Sequence, residues 1–255
     1  MKVSIITVVY NGASTIQDCI ESVLGQTYPN IEYIIIDGLS KDNTEEIVKK
    51  YGTKIAVFIS EKDAGIYDAM NKGIALATGD VIGILNADDF YHSPDVVQKV
   101  VKIFQNSQAD AVYGDLIYVN ADDTNKIERY WKSGAYAKSR FLYGWMPPHP
   151  TFFLKRKCYE AYGGYRTDLG SAADYELMLR MAYKHQIRLN YLPAIITKMR
   201  MGGVSNSTVV NRLKANQSDR QAWVLNGLRP YWFTLWLKPI RKISQFIYRP
   251  KLTAK

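Results

Sequence analysis

Cysteine is scarce in this 255-residue sequence, in which only Cys19 and Cys158 occur. Two cysteines are too few for a disulfide-stabilised scaffold of this size, so a reducing compartment is the simpler interpretation. Long apolar runs are also missing, because the longest, 81–85 and 231–237, fall well short of the roughly 20 residues of a membrane-spanning helix. Strand-like sequence begins at Val3 with no signal-peptide pattern ahead of it. These absences predict a cytoplasmic protein, unless another feature carries it to a membrane face.

Acidic residues are nearly absent from the end of the chain. From Arg212 to Lys255 there are ten basic residues and one acid, Asp219, which gives this stretch a net charge of +9. The first 211 residues contain 23 basic and 23 acidic residues and are therefore neutral. Because the excess is confined to one segment, it indicates a partner surface and not a property of the fold.

Several common functional motifs are missing as well. No Gly-x-Gly-x-x-Gly follows the first strand-like run, and neither a Gly-x-x-x-x-Gly-Lys loop nor a His-Glu-x-x-His pair occurs. The three histidines, His92, His149 and His185, are scattered. Dinucleotide binding, phosphate-loop hydrolysis and zinc chemistry are all disfavoured.

Short β-branched runs alternate with helical patterns over the first 106 residues. The runs are residues 3–10, 31–37, 54–60 and 81–85, and their lack of alternation predicts strands buried on both faces. Ser14 is expected to cap the first helix, and Ser93 with Pro94 to begin a helix over 96–104. This order predicts a doubly wound open sheet that binds ligands at the carboxyl ends of its strands.

The second half of the sequence is less regular, and we expect it to shape the substrate site. We expect a strand over 111–119, an aromatic and proline-rich stretch over 141–153, a helix near 174–184, a strand pair around 187–200 and a polar helix over about 209–225. The segment 227–230 (GLRP) then separates this helix from the aromatic and basic tail.

Acidic side chains follow three of the predicted strands: Asp37, Asp63 and the adjacent pair Asp88 and Asp89. Parallel strands end at one edge of a sheet, so these acids would share a crevice and repel one another unless a cation or ligand donors compensated. Adjacent carboxylates suit Mg²⁺ or Mn²⁺, which take oxygen ligands and complete their coordination with phosphate. Any single acid could equally cap a turn, so the inference depends on the cluster.

Five motifs in order along the chain resemble the family 2 glycosyltransferases of the GT-A fold. They are 4–11 (SIITVVYN), 32–44 (EYIIIDGLSKDNT), 85–89 (LNADD), 147–153 (PPHPTFF) and 173–177 (ADYEL), so the similarity covers roughly residues 1–200. The resemblance implies an open, mostly parallel twisted sheet flanked by helices. It also implies a catalytic domain at 1–203, with a nucleotide-binding half at 1–106 and an acceptor-side half at 107–203. A helical, basic and aromatic extension at 204–255 would follow.

The resemblance also implies roles for individual residues. Those at the nucleotide-sugar would be Thr7, Val9, Tyr10, Asn11, Asp37, Asp63, Lys72, Asn86 and Asp88. Asp88 and Asp89 would occupy the DXD-type position and hold Mg²⁺ or Mn²⁺, and Asp174 would be the catalytic base. The sequence departs from the family pattern at Asn86, where many relatives have an acid, and at Ala173, where a Glu often precedes the base.

Two of these positions also have other interpretations from the residues alone. Asp174 could merely cap the helix that begins there or favour its positive end. His149, in a proline-flanked loop, is a candidate on the acceptor side, with a structural hydrogen bond as the alternative.

The function expected from the resemblance is the inverting, metal-dependent transfer of one hexose from a nucleotide-diphosphate sugar, with a UDP-sugar favoured, to an acceptor hydroxyl. A lipid-linked glycan in cell-surface polysaccharide, O-antigen or capsule biosynthesis is the expected acceptor. The Gln-x-x-Arg-Trp motif of processive synthases is absent, and 217–221 (QSDRQ) only approaches it, which favours a single transfer.

Two other functions compete with this one. A nucleotidyltransferase making sugar nucleotides shares the acidic metal ligands, but its glycine-rich phosphate loop is missing. A nucleic-acid-binding module is suggested by the pI of about 9.3 and the 19 tyrosines. It ranks last because the first 211 residues are neutral and carry no RNA-binding motif.

The tail combines aromatic and basic residues. Three of the five tryptophans lie there, Trp223, Trp232 and Trp236, followed by Lys238, Arg241 and Lys242. This composition predicts a helix of region 223–255 that lies on an anionic membrane surface, at the inner face of the plasma membrane. The alternative is a helix packed on the catalytic domain, with its charges solvated.

Overall fold

The computed structural model describes residues 1–202 and 209–247. Its strands are β1 (Val3–Val9), β2 (Ile31–Asp37), β3 (Val57–Ser60), β4 (Val81–Ile84), β5 (Asp89–Tyr91), β6 (Ala111–Val119), β7 (Ile127–Trp131), β8 (Phe153–Lys155) and β9 (Leu189–Arg200). Within the described ranges these nine strands form one sheet in the order β3-β2-β1-β4-β8-β6-β9-β5, and β7 pairs with β6.

The helices flank this sheet. They are α1 (Ile16–Leu24), α2 (Thr44–Lys49), α3 (Ile66–Leu76), α4 (Val96–Asn106), α5 (Arg156–Tyr162), α6 (Ala173–Met178), α7 (Val209–Leu225) and α8 (Thr234–Ile247). Short 3₁₀ segments lie at Gly52–Lys54, Lys138–Tyr143, His149–Thr151 and Thr167–Ala172, and a π-helical turn at Leu179–Lys184 continues α6.

Strands β1 to β4 form the parallel part of the sheet. Val3 lies opposite both Ile31 and Val81 in the strand register, and every residue of β1 is buried. Helices cover both faces of the sheet, so the side chains on both sides of these strands are buried. For this reason the strands are continuous apolar runs. The four predicted strands are confirmed, although β3 begins at Val57 because the residues up to Lys54 form a 3₁₀ turn.

The caps predicted for α1 and α4 need correction, whereas the predicted start of α4 is confirmed. Helix α1 begins at Ile16, and the carbonyl of Gly12 accepts the backbone N–H groups of Thr15 and Ile16, so Ser14 does not cap it. Helix α4 begins at Val96, with Asp95 at the N-cap position. In both cases the first residue of the helix is determined by a turn just before it. Backbone hydrogen bonds or side-chain contacts close this turn.

The second half of the sheet is mixed. β8 runs antiparallel to both β4 and β6, and β9 is parallel to β6 but antiparallel to β5. The strand pair predicted around 187–200 is in fact one 12-residue strand, β9. Its register with β6 shifts around Gly114, where a Cβ atom would lie only 2.7 Å from the side chain of Ile196. The shift in register allows β9 to bend and continue as one strand where the sequence predicted a turn between two strands.

Two hydrophobic cores lie on opposite faces of the sheet. Helices α1 and α4 contribute to one, and α3, α5 and α6 to the other, which also contains Trp223 of α7. None of the helices in the described ranges has both the length and the apolar content needed to cross a bilayer. The expected domain boundary at 203/204 and the last eight residues, 248–255, lie outside the described residues.

Candidate functional site

Asp37 ends β2 and organises the loop that follows it. The buried carboxylate accepts hydrogen bonds from the backbone N–H of Ser40 at 3.1 Å and from the hydroxyl of Ser60 at 2.6 Å, and the Ser40 hydroxyl bonds to it as well. Leu39, inside this loop, has a positive φ of 64°. The acid therefore fixes the loop at the carboxyl end of β2, as a turn-forming aspartate does.

Tyr10, directly after β1, presents an exposed aromatic side chain beside this loop. The residue is 59% exposed, and a Cβ atom at Gly38 would lie 3.5 Å from its ring and 2.5 Å from Oδ2 of Asp63. The side-chain oxygen of Asn11 accepts the backbone N–H of Lys41 at 2.8 Å, which holds the end of β1 against the loop. Gly38, which has no Cβ atom, lies beside the exposed ring of Tyr10, and this combination suits the binding of a flat nucleotide base.

Thr7 and Val9, both expected at the nucleotide-sugar, have their side chains elsewhere. Thr7 is fully buried, with its hydroxyl 3.1 Å from that of Tyr33, and Val9 belongs to the core on the α1 side of the sheet. The side-chain alternation of β1 places both on that face, so only their backbone could contact a ligand. Lys72 lies on α3, where its Nζ is 2.8 Å from a carboxylate oxygen of Glu61 and within electrostatic range of Asp63, and its contact with the donor stays a prediction.

The loop between β4 and β5 carries the adjacent acids. Asp89 is fully buried, and among the described residues its Oδ1 and the Oδ1 of Asn86 have no hydrogen-bond partner. Burial and the negative charge of Asp88 raise the pKa of Asp89 well above its ordinary value, and burial raises that of Asp88 too. Buried oxygen atoms without partners favour a cation.

These residues fit a divalent ion only in part. Asp88, Asp89 and Asn86 offer oxygen ligands, but the described residues contain no group of three or more His, Cys, Asp or Glu side chains poised around one point. The remaining ligands of Mg²⁺ or Mn²⁺ would have to be water and diphosphate oxygens, which is the usual coordination of Mg²⁺.

Arg200 is a residue that the sequence reasoning missed. Its guanidinium donates to the backbone carbonyl of Asp88 at 2.9 Å, pairs with Asp18 and lies over the ring of Phe90. The positive charge of Arg200 opposes the rise in the pKa of Asp88 and of Asp89. No local pattern distinguishes this arginine, because its partners Asp88 and Asp18 lie 112 and 182 positions away in the chain.

Asp174 lies in the first turn of α6. Its Oδ1 accepts the backbone N–H of Tyr175 at 2.7 Å, and its own backbone N–H donates to the hydroxyl of Tyr67. Burial raises the pKa of Tyr118, and the charges of Asp89 and Asp174 both add to this rise. The hydroxyl of Tyr118 is therefore within electrostatic range of both carboxylates.

His149 lies behind this site. It is buried, and its Nε2 is 2.6 Å from the hydroxyl of Tyr165, whose ring stacks on Tyr67 at 5.5 Å. Burial lowers the pKa of His149, an effect that the negative charge of Asp174 opposes. The histidine is thus linked to Asp174 through two tyrosines, and its contact with an acceptor stays a prediction.

Comparison with known proteins identifies the family. The model for glycosyl transferase family 2 matches residues 4–163. The chain belongs to this family. A PGL/p-HBAD biosynthesis glycosyltransferase of Mycobacterium tuberculosis is 28% identical over 211 residues, which cover 81% of this chain and 80% of that protein. The predicted glycosyltransferase activity is confirmed, and the nucleotidyltransferase and nucleic-acid-binding alternatives are set aside.

Two solved structures share the fold of this glycosyltransferase. TarS of S. aureus, in complex with UDP-GlcNAc, has a TM-score of 0.69 at 18% identity, covering 88% of this chain and 66% of that one. The mannosyltransferase PcManGT of Pyrobaculum calidifontis, in complex with GDP-Man and Mn²⁺, has a TM-score of 0.66 at 22% identity, covering 93% and 72%. The predicted GT-A-type sheet is confirmed.

Proposed function

We propose that this glycosyltransferase moves one sugar from a nucleotide-diphosphate donor to an acceptor hydroxyl with inversion at the anomeric carbon. The observation that carries this proposal is the register of the sheet, in which Asp89 on β5 and Tyr118 on β6 both lie opposite Met199 of β9. The hydroxyl of Tyr118 is within electrostatic range of both Asp89 and Asp174, which supports placing the acid pair and the proton acceptor in one region. This is the arrangement that an in-line displacement requires.

In the proposed reaction Asp174 accepts the proton of the acceptor hydroxyl as its oxygen bonds to the anomeric carbon. The bond from that carbon to the diphosphate oxygen breaks, and the nucleoside diphosphate leaves with the electron pair. When bound at Asp88 and Asp89, Mg²⁺ or Mn²⁺ supplies charge neutralisation to the diphosphate. Arg200 holds the backbone of Asp88 in place.

The donor site proposed is the surface formed by Tyr10, Gly38 and Asp63, with Asp37 and Asn11 fixing its loops. The nucleotide-sugars bound by TarS and PcManGT, UDP-GlcNAc and GDP-Man, support a donor of this class. We keep a UDP-sugar as the first candidate, and PcManGT, which binds Mn²⁺, supports a divalent ion.

The acceptor proposed is a lipid-linked glycan at a membrane surface, and α8 supports it. Its exposed apolar residues, Trp236, Ile240, Ile243 and Phe246, recur every three or four positions along one side of the helix, and Trp232 just before it is 85% exposed. Arg241 and Lys242 are exposed on the same helix. Aromatic and aliphatic residues beside basic ones suit the interface of an anionic bilayer.

Binding of donor tests the enzymatic part of this proposal. We expect at least one of a panel of UDP-, GDP- and dTDP-sugars to raise the melting temperature with Mn²⁺, and EDTA to reverse the shift. The product made from that donor should have the opposite anomeric configuration by NMR. A panel without any shift, or a product with retained configuration, would contradict the proposal.

A further inference from the structure

The C-terminal helices hold the two residues that follow Asp174. The indole Nε1 of Trp223 on α7 donates to the hydroxyl of Tyr175 at 2.8 Å, and the side-chain amide of Asn226 donates to a carboxylate oxygen of Glu176 at 2.9 Å. All four side chains are buried. The extension is therefore packed against the helix of the candidate base.

Lys238 of α8 contacts the same helix in a different way. Its Nζ lies 3.6 Å from the centre of the Tyr175 ring and forms an ion pair with Asp219 of α7. The side chain of Lys238 is only 15% exposed. Burial raises the pKa of Asp219, Lys238 opposes this rise, and the charge of Asp174 adds to it. The ion pair thus lies within electrostatic range of Asp174.

Stability alone does not account for this buried pair. A buried ion pair costs desolvation, and its replacement by apolar residues of similar size is often neutral or stabilising. Tyr175 already has an apolar environment and a hydrogen bond from Trp223. What Lys238 adds is a fixed charge and a fixed contact beside the base, both of which an apolar residue would lack.

Helix α8 also reaches the other side of the site. The Nε of Arg129 donates to the side-chain oxygen of Gln245 at 2.6 Å, and its guanidinium lies between the rings of Phe246 and Tyr118, 5.3 Å and 4.4 Å from their centres. The hydroxyl of Tyr118 is within electrostatic range of both Asp89 and Asp174. Helix α8 therefore contacts the helix of the base through Lys238 and, through Arg129, is linked to Tyr118.

We propose that Lys238 is a positioning residue for sugar transfer, which fixes α6, and with it Asp174, through its contact with Tyr175 and its ion pair with Asp219. The inference rests on the proposed role of Asp174. The C-terminal extension is then a part of the active site, in addition to any part it has in membrane binding.

The test compares Lys238→Met with Lys238→Arg in the full-length protein. With the donor selected by the panel, we expect Lys238→Met to lower kcat by about ten-fold or more, because a small misplacement of reacting groups is costly. The donor Kd, measured by calorimetry, should stay within about two-fold, since Lys238 contacts Tyr175 and Asp219 and not the residues of the proposed donor site. Lys238→Arg, which keeps the charge, should restore most of the turnover.

A matched control is Lys99→Met, which removes an ion pair with Asp95 on α4, at the opposite face of the sheet. It should leave kcat unchanged. If Lys238→Met does not fold, Asp219→Asn removes the charged partner of Lys238 and keeps its size. It should also lower kcat and leave the donor Kd unchanged.

Either of two results would overturn the inference: wild-type kcat in folded Lys238→Met or in Asp219→Asn, or equal losses of kcat and donor affinity. Asp174→Asn distinguishes this failure from failure of the proposed function. A slow Asp174→Asn with a normal Lys238→Met removes only the positioning role. A normal Asp174→Asn removes the proposed base itself.

Discussion

The guanidinium of Arg200 donates a hydrogen bond to the backbone carbonyl of Asp88, although 112 positions separate the two residues in the chain. The contact is possible because β5, which begins at Asp89, pairs antiparallel with the end of β9. The loop that carries Asp88 and Asp89 is thus held on one side by β5 and on the other by the guanidinium of Arg200. Pairing of Arg200 with Asp18 ties α1 to the same point.

Replacing Asp89 by Asn is expected to raise the stability of the metal-free protein and to abolish donor binding. In Asp89→Asn a buried carboxylate oxygen without a partner in the described residues is replaced by a neutral amide. The melting temperature of the metal-free protein should therefore rise, because the cost of burying the charge is removed. Donor binding in Mn²⁺ should be lost, because the ion loses a ligand.

Differential scanning fluorimetry without metal and calorimetry with Mn²⁺ measure these two effects. Asp122→Asn, which changes an exposed acid in the turn between β6 and β7, is the control and should change neither. Wild-type donor affinity of Asp89→Asn in Mn²⁺ would remove Asp89 from the metal site.

Glu32 should make stability depend on acid pH. Burial opposes its ionisation, but hydrogen bonds from Lys2, Ser4 and Thr78 outweigh this effect and lower its pKa to about 2. Because this pKa is below the ordinary value, the stabilisation is complete above about pH 4.5 and is lost as the pH falls toward 2. The shift corresponds to about 3 kcal/mol.

Urea unfolding at pH 7 and pH 3 tests this expectation. Glu32→Gln should be less stable than the wild type at pH 7, and the difference should shrink at pH 3. Glu160→Gln, which removes an exposed carboxylate paired with Arg156, should have little effect at either pH. A difference between Glu32→Gln and wild type that does not change with pH would contradict the assignment.

The exposed side of α8 should be required for membrane binding. Full-length protein is expected to sediment with anionic vesicles at low salt and to detach at high salt. The double variant Trp236→Ser with Ile240→Ser should stay in solution, because it removes two apolar anchors. Substitution is preferable to truncation, since Trp223 and Lys238 are buried against Tyr175 and their loss would disturb the fold.

Leu76→Ser, which changes a partly exposed apolar residue at the end of α3, is the control and should sediment as wild type does. Equal sedimentation of the double variant and the wild type would show that this side of α8 does not bind the membrane. In that case the basic residues of the tail would have another partner.

Local patterns in the sequence were enough to predict the first half of the fold. Strands β1 to β4 are continuous apolar runs, and the helices between them follow the helical period. The burial of Thr7 could also have been predicted, because Val3 and Ile5 on the same side of β1 are core residues. The acids at the strand ends were found because parallel strands end at one edge.

The remaining features depend on contacts between distant segments. β9 stays a single strand because its register with β6 shifts beside Gly114. No turn residue in the sequence indicates this shift. The contacts of Arg200 with Asp88, and of Lys238 with Tyr175, join residues far apart in the chain, and neither basic residue has a distinctive neighbourhood in the sequence. Such positions become visible only once the topology brings their partners together.

The most direct test of the proposed mechanism is the turnover of Asp174→Asn at saturating donor, measured together with its donor affinity. The substitution preserves size and the hydrogen bond to Tyr175 but removes the capacity to accept a proton. The nearby acid Asp168, exposed and paired with Arg166, provides the control Asp168→Asn. We predict that Asp174→Asn binds donor within about two-fold of wild type and loses about 10²-fold or more in turnover, the scale of a lost general base. Wild-type turnover in Asp174→Asn, or a parallel loss of donor affinity and turnover, would contradict the mechanism.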